Sequence, residues 1–373
     1  MTRIVQLVPE VRAGSGVEGV AFQLEQEFRR AGASVERFTL REAGGGWLKL
    51  PEGGLARTGM IALRVVWFST VGTVRARRFL AERPDVVSIC HNDVLAGDIY
   101  VNHGIVRAAM RARGHYALRM IRNPLHLFTT LRDSIRYRSG THRVVVNLTE
   151  GERALLRRLY PRLKPRAVVI PNGVDLDRFR PATSEERAAE RARLEIEDHE
   201  TVAVFVGHEF ERKGLQYALE AVAAVAGVVL VVVGGSTDMI ADAAAQATDL
   251  DVSDRVRFVG RQPDPVPFLR AGDVFLLPSA YEANALVVLE ALACGLPVIS
   301  TRVGFAPDIL VDGKNGHLVE RTEVARGLEA ILQADLAVLR EAARNTAEQY
   351  SWEDAARRYL DLVGEIEREK GVR

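Results

Sequence analysis

The feature that most constrains the fold of this chain is an alternation of short apolar runs with amphipathic segments, which occurs twice. The first half of the chain contains six apolar runs, and the second half contains five that are rich in Val, Leu and Ile. Such runs predict parallel strands that are buried on both faces. The segments between them carry apolar residues three and four positions apart and predict helices. We therefore predict an α/β chain made of two doubly wound domains.

The predicted strands are Ile4–Pro9, Ser34–Leu40, Val86–Cys90, Ile99–Asn102, Arg143–Leu148, Ala167–Ile170, Thr201–Val206, Val228–Val233, Val256–Val259, Val274–Leu277 and Val298–Ser300. The predicted helices are Val17–Ala31, Ile61–Ala81, Glu150–Leu159, Leu215–Val225, Met239–Thr248 and Leu286–Ala293. Residues Glu42–Gly59, which include six glycines, are expected to form a flexible loop.

The predicted domain boundary lies near Pro171-Asn172-Gly173-Val174-Asp175, ahead of a polar run from Thr183 to Arg193. We expect an N-terminal domain of residues 1–175, a C-terminal domain of residues 176–350, and a helix over 351–373 that packs back toward the N-terminal domain. Residues 1–180 hold 30 Lys and Arg against 16 Asp and Glu, a balance of +14. Residues 181–373 hold 20 against 33, a balance of −13. Opposite charges indicate that the domains have different partners.

The composition is typical of a soluble globular protein, with 47% hydrophobic and 27% charged residues. No apolar run approaches the roughly 18 residues of a membrane-spanning helix, and the first residues do not resemble a secretory signal. The two cysteines, Cys90 and Cys294, lie in apolar segments and are interpreted as core residues in a reducing compartment. We therefore expect a cytoplasmic location.

A glycine-rich stretch near the start matches the dinucleotide-binding pattern G-x-G-x-x-G. Residues Gly14 to Gly19 follow a predicted strand and open a predicted helix, and Glu36 stands about twenty positions further on. However, the residues from Pro9 to Ala13 separate the strand from the first glycine, and Glu36 falls inside the next strand. Both departures disfavour a nicotinamide cofactor. The alternatives are a flexible turn and a loop whose backbone another ligand approaches.

Two stretches of the second half place charged side chains directly after predicted strands. Residues Gly207–Gly214 contain the adjacent cations Arg212 and Lys213, which suit a diphosphate or form a solvated basic loop. Glu282 lies in the loop before a predicted helix, and Glu290 lies two turns into that helix among apolar neighbours. A carboxylate can accept hydrogen bonds from both hydroxyls of a ribose, and the helix start at Asn284–Leu286 offers backbone N–H groups to a phosphate or sugar oxygen.

Together these motifs resemble glycosyltransferase family 4, whose members are retaining enzymes of the GT-B fold. The resemblance covers nearly the whole chain and implies two Rossmann-like domains that face a central cleft. The glycine stretch then resembles the family's glycine-rich turn beside the donor and acceptor. The matching motifs are E-x7-E at Glu282 and Glu290, R-K-G at Arg212-Lys213-Gly214, P-N-G-V-D at Pro171 to Asp175, D-G-x-N-G at Asp312 to Gly316, and S-W-E at Ser351 to Glu353.

The resemblance implies a role for each matching residue. Glu290 would hold the ribose hydroxyls, Arg212 and Lys213 the diphosphate, and Glu282 the transferred sugar. His103, which follows a predicted strand, would lie beside that sugar, and His91 is the weaker candidate for this place. Glu282, His103, Arg212 and Lys213 are thus the expected catalytic residues. The other residues expected at the donor are Gly16, Gly207, Arg261, Ala283, Asn284, Ala285 and Leu286.

The chain departs from the family pattern at three places. The common G-F-G or G-F-P after the first motif glutamate is replaced by Ala283-Asn284-Ala285, which bears on the contacts to the sugar. His208 stands where the family often has Arg, so the cationic site depends more on Arg212 and Lys213. Asp308 stands where a Glu is usual, and the sequence offers no interpretation of this change.

The implied reaction moves a sugar from a nucleoside diphosphate sugar to a hydroxyl of a lipid-linked or polysaccharide acceptor, with retention of configuration. No cofactor is expected beyond the co-substrate, and no metal, because no cluster of His and Asp shows metal-ligand spacing. The alternatives are transfer to a soluble small molecule, a nucleotide-sugar epimerase of similar fold, and a non-catalytic membrane adaptor. The intact charged motif residues disfavour the adaptor.

Two arginine-rich segments of the first half bear on the acceptor. Residues 107–138 contain eight arginines and a single acid, Asp133, interleaved with apolar side chains, and a second segment runs from Arg57 to Arg78. This pattern suits an anionic membrane surface, and hence a peripheral location on the inner face of the cell membrane. Equally, the apolar residues could be core and the arginines a solvated face. Nucleic acid is not expected, because no motif supports it and the second domain is acidic.

Overall fold

The computed structural model describes residues 1–14, 16–112 and 122–371. The chain divides into two compact units. The first comprises the residues up to Asn172 together with the chain from Trp352 onward, and the second is Gly173–Ser351. Each unit contains its own six-stranded sheet. The α/β architecture with two sheets is the one that the sequence predicts.

The strands of the first unit are β1 (Arg3–Leu7), β2 (Ser34–Phe38), β3 (Val87–Cys90), β4 (Ile99–Asn102), β5 (Val144–Asn147) and β6 (Arg166–Val169). All pairings are parallel, in the order β2-β1-β3-β4-β5-β6. Strands β3, β4 and β5 are buried along their whole length, as expected of a parallel sheet covered on both faces. The helices preceding the boundary are α1 (Val17–Arg30), α2 (Gly54–Ser69), α3 (Val71–Ala81), α4 (Val106–Ala112), α5 (Pro124–Arg138) and α6 (Glu150–Leu159).

The strands of the second unit are β7 (Thr201–Val206), β8 (Val228–Val233), β9 (Val256–Gly260), β10 (Val274–Leu277), β11 (Val298–Ser300) and β12 (Gly316–Leu318). They form a second parallel sheet in the order β12-β11-β10-β7-β8-β9. The helices are α7 (Ser184–Arg193), α8 (Phe210–Lys213), α9 (Leu215–Ala224), α10 (Thr237–Asp249), α11 (Val266–Ala271), α12 (Leu286–Ala293), α13 (Ala306–Ile309), α14 (Val324–Gln333) and α15 (Leu336–Ala347), with short 3-10 turns at Ser253–Arg255 and Arg321–Glu323.

The last helix, α16 (Trp352–Lys370), packs against α1 of the first unit. The rings of Tyr359 and Phe28 meet edge to face with centroids 6.2 Å apart. At the end of the helix, Lys370 Nζ lies 2.8 Å from Asp98 Oδ2 and donates to the Val86 carbonyl at 2.9 Å. An amphipathic face and this terminal ion pair therefore hold the C-terminal segment on the first sheet's unit.

Several elements differ from the sequence-based expectation. The segment Ile61–Ala81, predicted as one helix, is interrupted at Thr70, whose φ of −107° and ψ of −80° are not helical. The loop expected over Glu42–Gly59 is shorter than predicted, because α2 already begins at Gly54. The polar run after the boundary is the helix α7, which begins with a capping box in which Thr183 and Glu186 hydrogen-bond each other's backbone N–H groups.

Three arginines surround one carboxylate in the second unit; Arg191 is buried, and Arg187 and Arg340 are partly exposed. Asp273, at the start of β10, accepts from Arg187 at 2.6 Å, Arg191 at 2.5 Å and Arg340 at 2.7 Å, and also from the Val202 backbone N–H at 2.9 Å. These contacts join α7 and α15 to the amino end of β10, an interior strand of the sheet. Because each buried charge has an opposite partner, the cluster avoids the large cost of an unpaired buried ion. Within the described ranges, no helix has the length and apolarity needed to cross a membrane.

Candidate functional site

The candidate site of the second unit lies where β7, β8 and β10 end. Gly207 follows β7 directly, and a Cβ added to it would lie 2.9 Å from Cγ of Lys213. Gly234 follows β8 at a φ of +121°, and a Cβ there would lie 1.9 Å from the Gly207 carbonyl oxygen. The two glycines therefore let the strand ends approach each other closely and let the Lys213 stem pass over them. The carboxyl ends of parallel strands are where ligands bind in such sheets.

Glu282 is the centre of the charged residues at these strand ends. Its Oε1 accepts from Arg212 Nη1 at 2.9 Å and from Ser279 Oγ at 2.9 Å, and it lies 2.8 Å from Lys213 Nζ. The Glu282 side chain is only 10% exposed, so these are largely desolvated contacts. Three of the four predicted catalytic residues thus meet at one carboxylate oxygen.

Arg212 is held by further contacts on both sides. Its Nη1 donates to the Tyr281 carbonyl at 2.5 Å, and its Nε pairs with Glu209. Burial disfavours the charged guanidinium, but the adjacent carboxylates of Glu282 and Glu209 outweigh it and raise the pKa of Arg212. The guanidinium therefore stays charged at every physiological pH.

Glu290 lies eight residues after Glu282, inside α12. Burial raises its pKa to about 7, although the positive charges of Arg178 and Lys213 oppose the shift. Across the part of the chain that the structure describes, its carboxylate has no hydrogen-bond or ion-pair partner. An unpaired carboxylate poised between its two protonation states is available to accept hydrogen bonds from a ligand that supplies two hydroxyls.

The segment Ala283 to Leu286 leads into α12 through an unusual backbone conformation. Ala285, the residue before the helix, has a φ of 59° and a ψ of 59°, in the left-handed region that favours glycine. The side chain of Asn284 is 8% exposed, and within the described residues neither of its amide atoms has a partner. A buried amide without partners costs free energy, so this residue is either strained in the ligand-free state or completed by a ligand.

The other predicted donor residues are divided between the two units. Arg261 follows β9, and its charge contributes, after burial, to lowering the pKa of His208. Gly16 lies in the first unit, immediately before α1, at a φ of 86°. A Cβ on Gly19 would lie 1.9 Å from the Gly14 carbonyl oxygen, so the glycine loop closes tightly on the helix. Ser15 lies outside the described residues.

Glu36 has a structural role that argues against the dinucleotide interpretation. It lies within β2 and pairs with Arg3 at 2.9 Å and with Arg83 at 3.0 Å. Although burial raises the pKa of its carboxyl group, these two arginines lower it below its usual value. A carboxylate engaged by two arginines is not free to bind the hydroxyls of a ribose.

In the first unit, His103 follows β4 and is joined to two buried residues. His91 Nδ1 lies 3.3 Å from His103 Nε2, and His91 Nε2 lies 2.7 Å from Gln6 Oε1. Burial lowers the pKa of His103 to about 4 and that of His91 well below its usual value, so both rings are neutral at pH 7. Sequence reasoning missed Gln6, which is fully buried. The signal that could have found it is a glutamine within an otherwise apolar predicted strand.

The arginine-rich segment 107–138 is not the uniformly basic surface that the sequence suggested. Arg132 and Arg136 are 6% and 0% exposed and pair with Asp93 and Asp133 in the interior. In contrast, the apolar side chains of Leu127, Leu131 and Ile135 on the same helix are 61%, 61% and 46% exposed. Ion pairing with buried carboxylates accounts for the buried position of these two arginines. Residues 113–121, which include two further arginines, lie outside the described part of the chain.

Within the described ranges, no group of three or more His, Cys, Asp or Glu side chains is arranged to hold a metal ion. The two cysteines are both buried and free. Burial raises the pKa of the Cys294 thiol to about 12, so this thiol is not a nucleophile at neutral pH.

Comparison with known proteins relates the second unit to a defined family. Residues 186–350 match the family described as glycosyl transferases group 1. Among relatives, the D-inositol 3-phosphate glycosyltransferase of Mycobacterium sp. (strain KMS) is 37% identical over 218 residues, which are 56% of this chain and 49% of that protein. The lipopolysaccharide core biosynthesis glycosyltransferase LpsE of Rhizobium meliloti (strain 1021) is 37% identical over 182 residues, or 47% of this chain and 53% of that protein. The chain thus spans about half the length of these relatives.

Solved structures share the fold over the whole chain. The crystal structure of WaaG, a glycosyltransferase involved in lipopolysaccharide biosynthesis, has a TM-score of 0.74 at 19% identity, covering 96% of this chain and 99% of WaaG. Anabaena HepE in complex with UDP and glucose has a TM-score of 0.67 at 17% identity, covering 96% of this chain and 99% of HepE. At these identities the likeness is evidence for the fold alone.

Proposed function

We propose that the chain is a retaining glycosyltransferase that uses a nucleoside diphosphate sugar without a metal. The match of residues 186–350 to glycosyl transferases group 1 and the GT-B fold support this proposal. The observation that carries the proposal is the meeting of Arg212 and Lys213 at the Glu282 carboxylate, below the start of α12 and beside the unpaired Glu290. This set of groups matches the parts of a nucleoside diphosphate sugar: two cations for the diphosphate and a free carboxylate for the ribose.

The two cations supply the chemistry that the leaving group needs. As the bond between the sugar and the diphosphate breaks, negative charge develops on the outer phosphate. Short contacts hold Arg212 and Lys213 in place, so the two cations can stabilise this charge without reorganising. Each would lower the activation barrier by about 2–4 kcal/mol. The N–H groups at the start of α12 add a favourable dipole.

When the donor binds, its diphosphate would replace Glu282 as the anionic partner of Arg212 and Lys213. Glu282 pairs with both Arg212 and Lys213, and Glu209 is a second anionic partner of Arg212. When a diphosphate takes over these cations, the Glu282 carboxylate becomes free to accept a hydrogen bond from the transferred sugar. Glu282 therefore pairs the partly buried cations before the donor binds and then contributes to sugar recognition.

For the acceptor we propose a lipid-linked or polysaccharide hydroxyl, with the protein peripheral on an anionic membrane surface. The exposed stripe of Leu127, Leu131 and Ile135, four residues apart on one face of α5, supports this choice. LpsE and WaaG are both named for lipopolysaccharide synthesis. A soluble phosphorylated polyol is the second candidate, because another relative is named for D-inositol 3-phosphate.

The test is the release of nucleoside diphosphate from UDP-, GDP- and ADP-sugars in the presence of a chelator, with either a lipid extract or D-inositol 3-phosphate as acceptor. We expect release that depends on one acceptor class and a product with the anomeric configuration of the donor. Glu282→Gln should abolish it, whereas Glu329→Gln, on an exposed residue of α14, should not. Conversion of the donor into an epimeric nucleotide sugar without any acceptor would indicate an epimerase and overturn the proposal.

A further inference from the structure

Three polar side chains form a continuous hydrogen-bonded chain in the first unit. Gln6 belongs to β1, His91 follows β3 and His103 follows β4, and these three strands are neighbours in the sheet. Gln6 and His91 are completely buried, whereas His103 is partly exposed. The chain therefore runs from the interior of the sheet to its surface at the carboxyl ends of the strands.

The first contact fixes the orientation of the glutamine amide. Gln6 Nε2 donates to the Ala21 carbonyl at 3.0 Å, and a carbonyl oxygen can only accept. Gln6 Oε1 must then be the atom that faces His91 Nε2, at 2.7 Å. Because Oε1 is also only an acceptor, the hydrogen in this contact belongs to His91 Nε2.

The remaining contact fixes the second histidine. Since His91 is neutral and carries its hydrogen on Nε2, its Nδ1 has a lone pair and must accept. The partner of Nδ1 is His103 Nε2 at 3.3 Å, which therefore donates. The ring centroids are 5.6 Å apart while these nitrogens are 3.3 Å apart, so the rings meet at their edges, as this hydrogen bond requires.

We propose that Gln6 and His91 are positioning residues that hold His103 in the tautomer with its hydrogen on Nε2 and so present Nδ1 as a hydrogen-bond acceptor to a substrate hydroxyl. No described residue other than His91 hydrogen-bonds the His103 ring. A ring held in this way accepts from a hydroxyl group but cannot donate to a carbonyl. The inference rests on the proposed function, which supplies a substrate rich in hydroxyls.

The direct test is nitrogen-15 NMR of the histidine side chains in the full-length protein at pH 7.5, which reports the tautomer without any need for turnover. We expect His91 and His103 both to carry their hydrogen on Nε2. Gln6→Leu, or Gln6→Met if the first variant does not fold, should redistribute the His103 tautomer. In Gln6→Glu, burial favours the protonated carboxyl, which donates to the Ala21 carbonyl, accepts from His91 Nε2 and should preserve the tautomer. A hydrogen on His103 Nδ1 in the wild type, or an unchanged tautomer in both apolar variants, would overturn the proposal.

A matched control variant distinguishes an effect on the His103 tautomer from a general loss of stability. Ser88 is buried on β3 and hydrogen-bonds Asp98 at 2.8 Å, but it is not part of the chain of histidines. Ser88→Ala should lower the stability while leaving the His103 tautomer unchanged. In the sugar-transfer assay, Gln6→Leu should reduce kcat roughly tenfold, the loss of about one hydrogen bond, with rescue by Gln6→Glu. Absence of any transfer in the wild type would contradict the proposed function while leaving the tautomer result to decide this inference.

Discussion

At the scale of single residues, the candidate site combines charges that are satisfied with polar groups that are not. Arg212 and Lys213 both pair with the Glu282 carboxylate. Glu290 and the Asn284 amide, in contrast, have no partner among the described residues. Unsatisfied buried groups reduce stability, so they concentrate where a ligand supplies the missing contacts.

The raised pKa of Glu290 predicts an opposition between stability and donor binding. Its folded-state pKa of about 7 exceeds the usual value of 4.5, so its contribution to stability is fully present below about pH 4.5 and is lost as the pH rises to about 7. Glu290→Gln should therefore raise the free energy of unfolding at pH 8 by roughly 3 kcal/mol and change it little at about pH 4. Donor affinity should change in the opposite sense, because only the ionised carboxylate accepts from both ribose hydroxyls. Denaturant unfolding of the wild type and the variant at the two pH values measures the effect on stability. Equal free energies of unfolding for the two proteins at pH 8 would contradict this prediction.

The unpaired amide of Asn284 predicts an unusually small cost of truncation. Asn284→Ala should leave the free energy of unfolding unchanged or raise it by about 1 kcal/mol, because two unsatisfied polar atoms are removed. The control is Asn315→Ala, since Asn315 is also buried but hydrogen-bonds Val311, Ile309 and Thr346. That variant should lose about 2 kcal/mol or more. Similar losses in both variants, measured by denaturant unfolding, would show that the Asn284 amide is satisfied in solution.

At the scale of elements, ion pairs rather than the polarity of the side chains determine which face of α5 is buried. Arg132 and Arg136 face the interior because Asp93 and Asp133 are there to receive them. The opposite face then presents Leu127, Leu131 and Ile135 to solvent. A stripe of exposed apolar residues on a basic unit is typical of a surface that inserts between lipid headgroups.

This stripe predicts binding to anionic vesicles. The double variant Leu127→Ser and Leu131→Ser should reduce sedimentation with phosphatidylglycerol vesicles about tenfold or more, because each buried leucine contributes about 1.5–3 kcal/mol. Val338→Ser is the control, since Val338 is 59% exposed on α15 of the second unit. The membrane proposal fails if the two kinds of variant bind vesicles equally well.

At the scale of the whole molecule, the sequence predicted the strands more accurately than the connections. The boundaries of the buried strands were predicted to within one or two residues for most of the sheet, because runs such as Val228–Val233 have only one favourable environment. The short strand Gly316–Leu318 was missed, because it has no apolar pattern and forms only by pairing with β11. The resemblance to a glycosyltransferase family is confirmed for residues 186–350, and the expected fold is confirmed by its likeness to WaaG.

The parts of the site that escaped sequence reasoning depend on long-range contacts. The left-handed Ala285 could not be anticipated, because alanine has no local preference for that conformation. Neither could the inward turn of Arg132, which depends on Asp93, 39 residues away. In contrast, the proximity of Arg212, Lys213 and Glu282 follows from the meeting of parallel strand ends, so the sequence motif was sufficient to predict it.

We propose above all that the second unit binds a nucleoside diphosphate through Arg212, Lys213 and Glu290. Titration calorimetry at pH 8 tests this binding most directly. UDP, GDP, ADP and NAD would each be titrated into the protein in the presence of a chelator. We expect one nucleoside diphosphate to bind and NAD not to bind. Lys213→Gln should weaken that binding more than about tenfold, whereas Arg326→Gln, on an exposed residue of the same unit, should not change it. Binding of NAD alone, or nucleoside diphosphate binding that is unaffected by Lys213→Gln, would contradict the account.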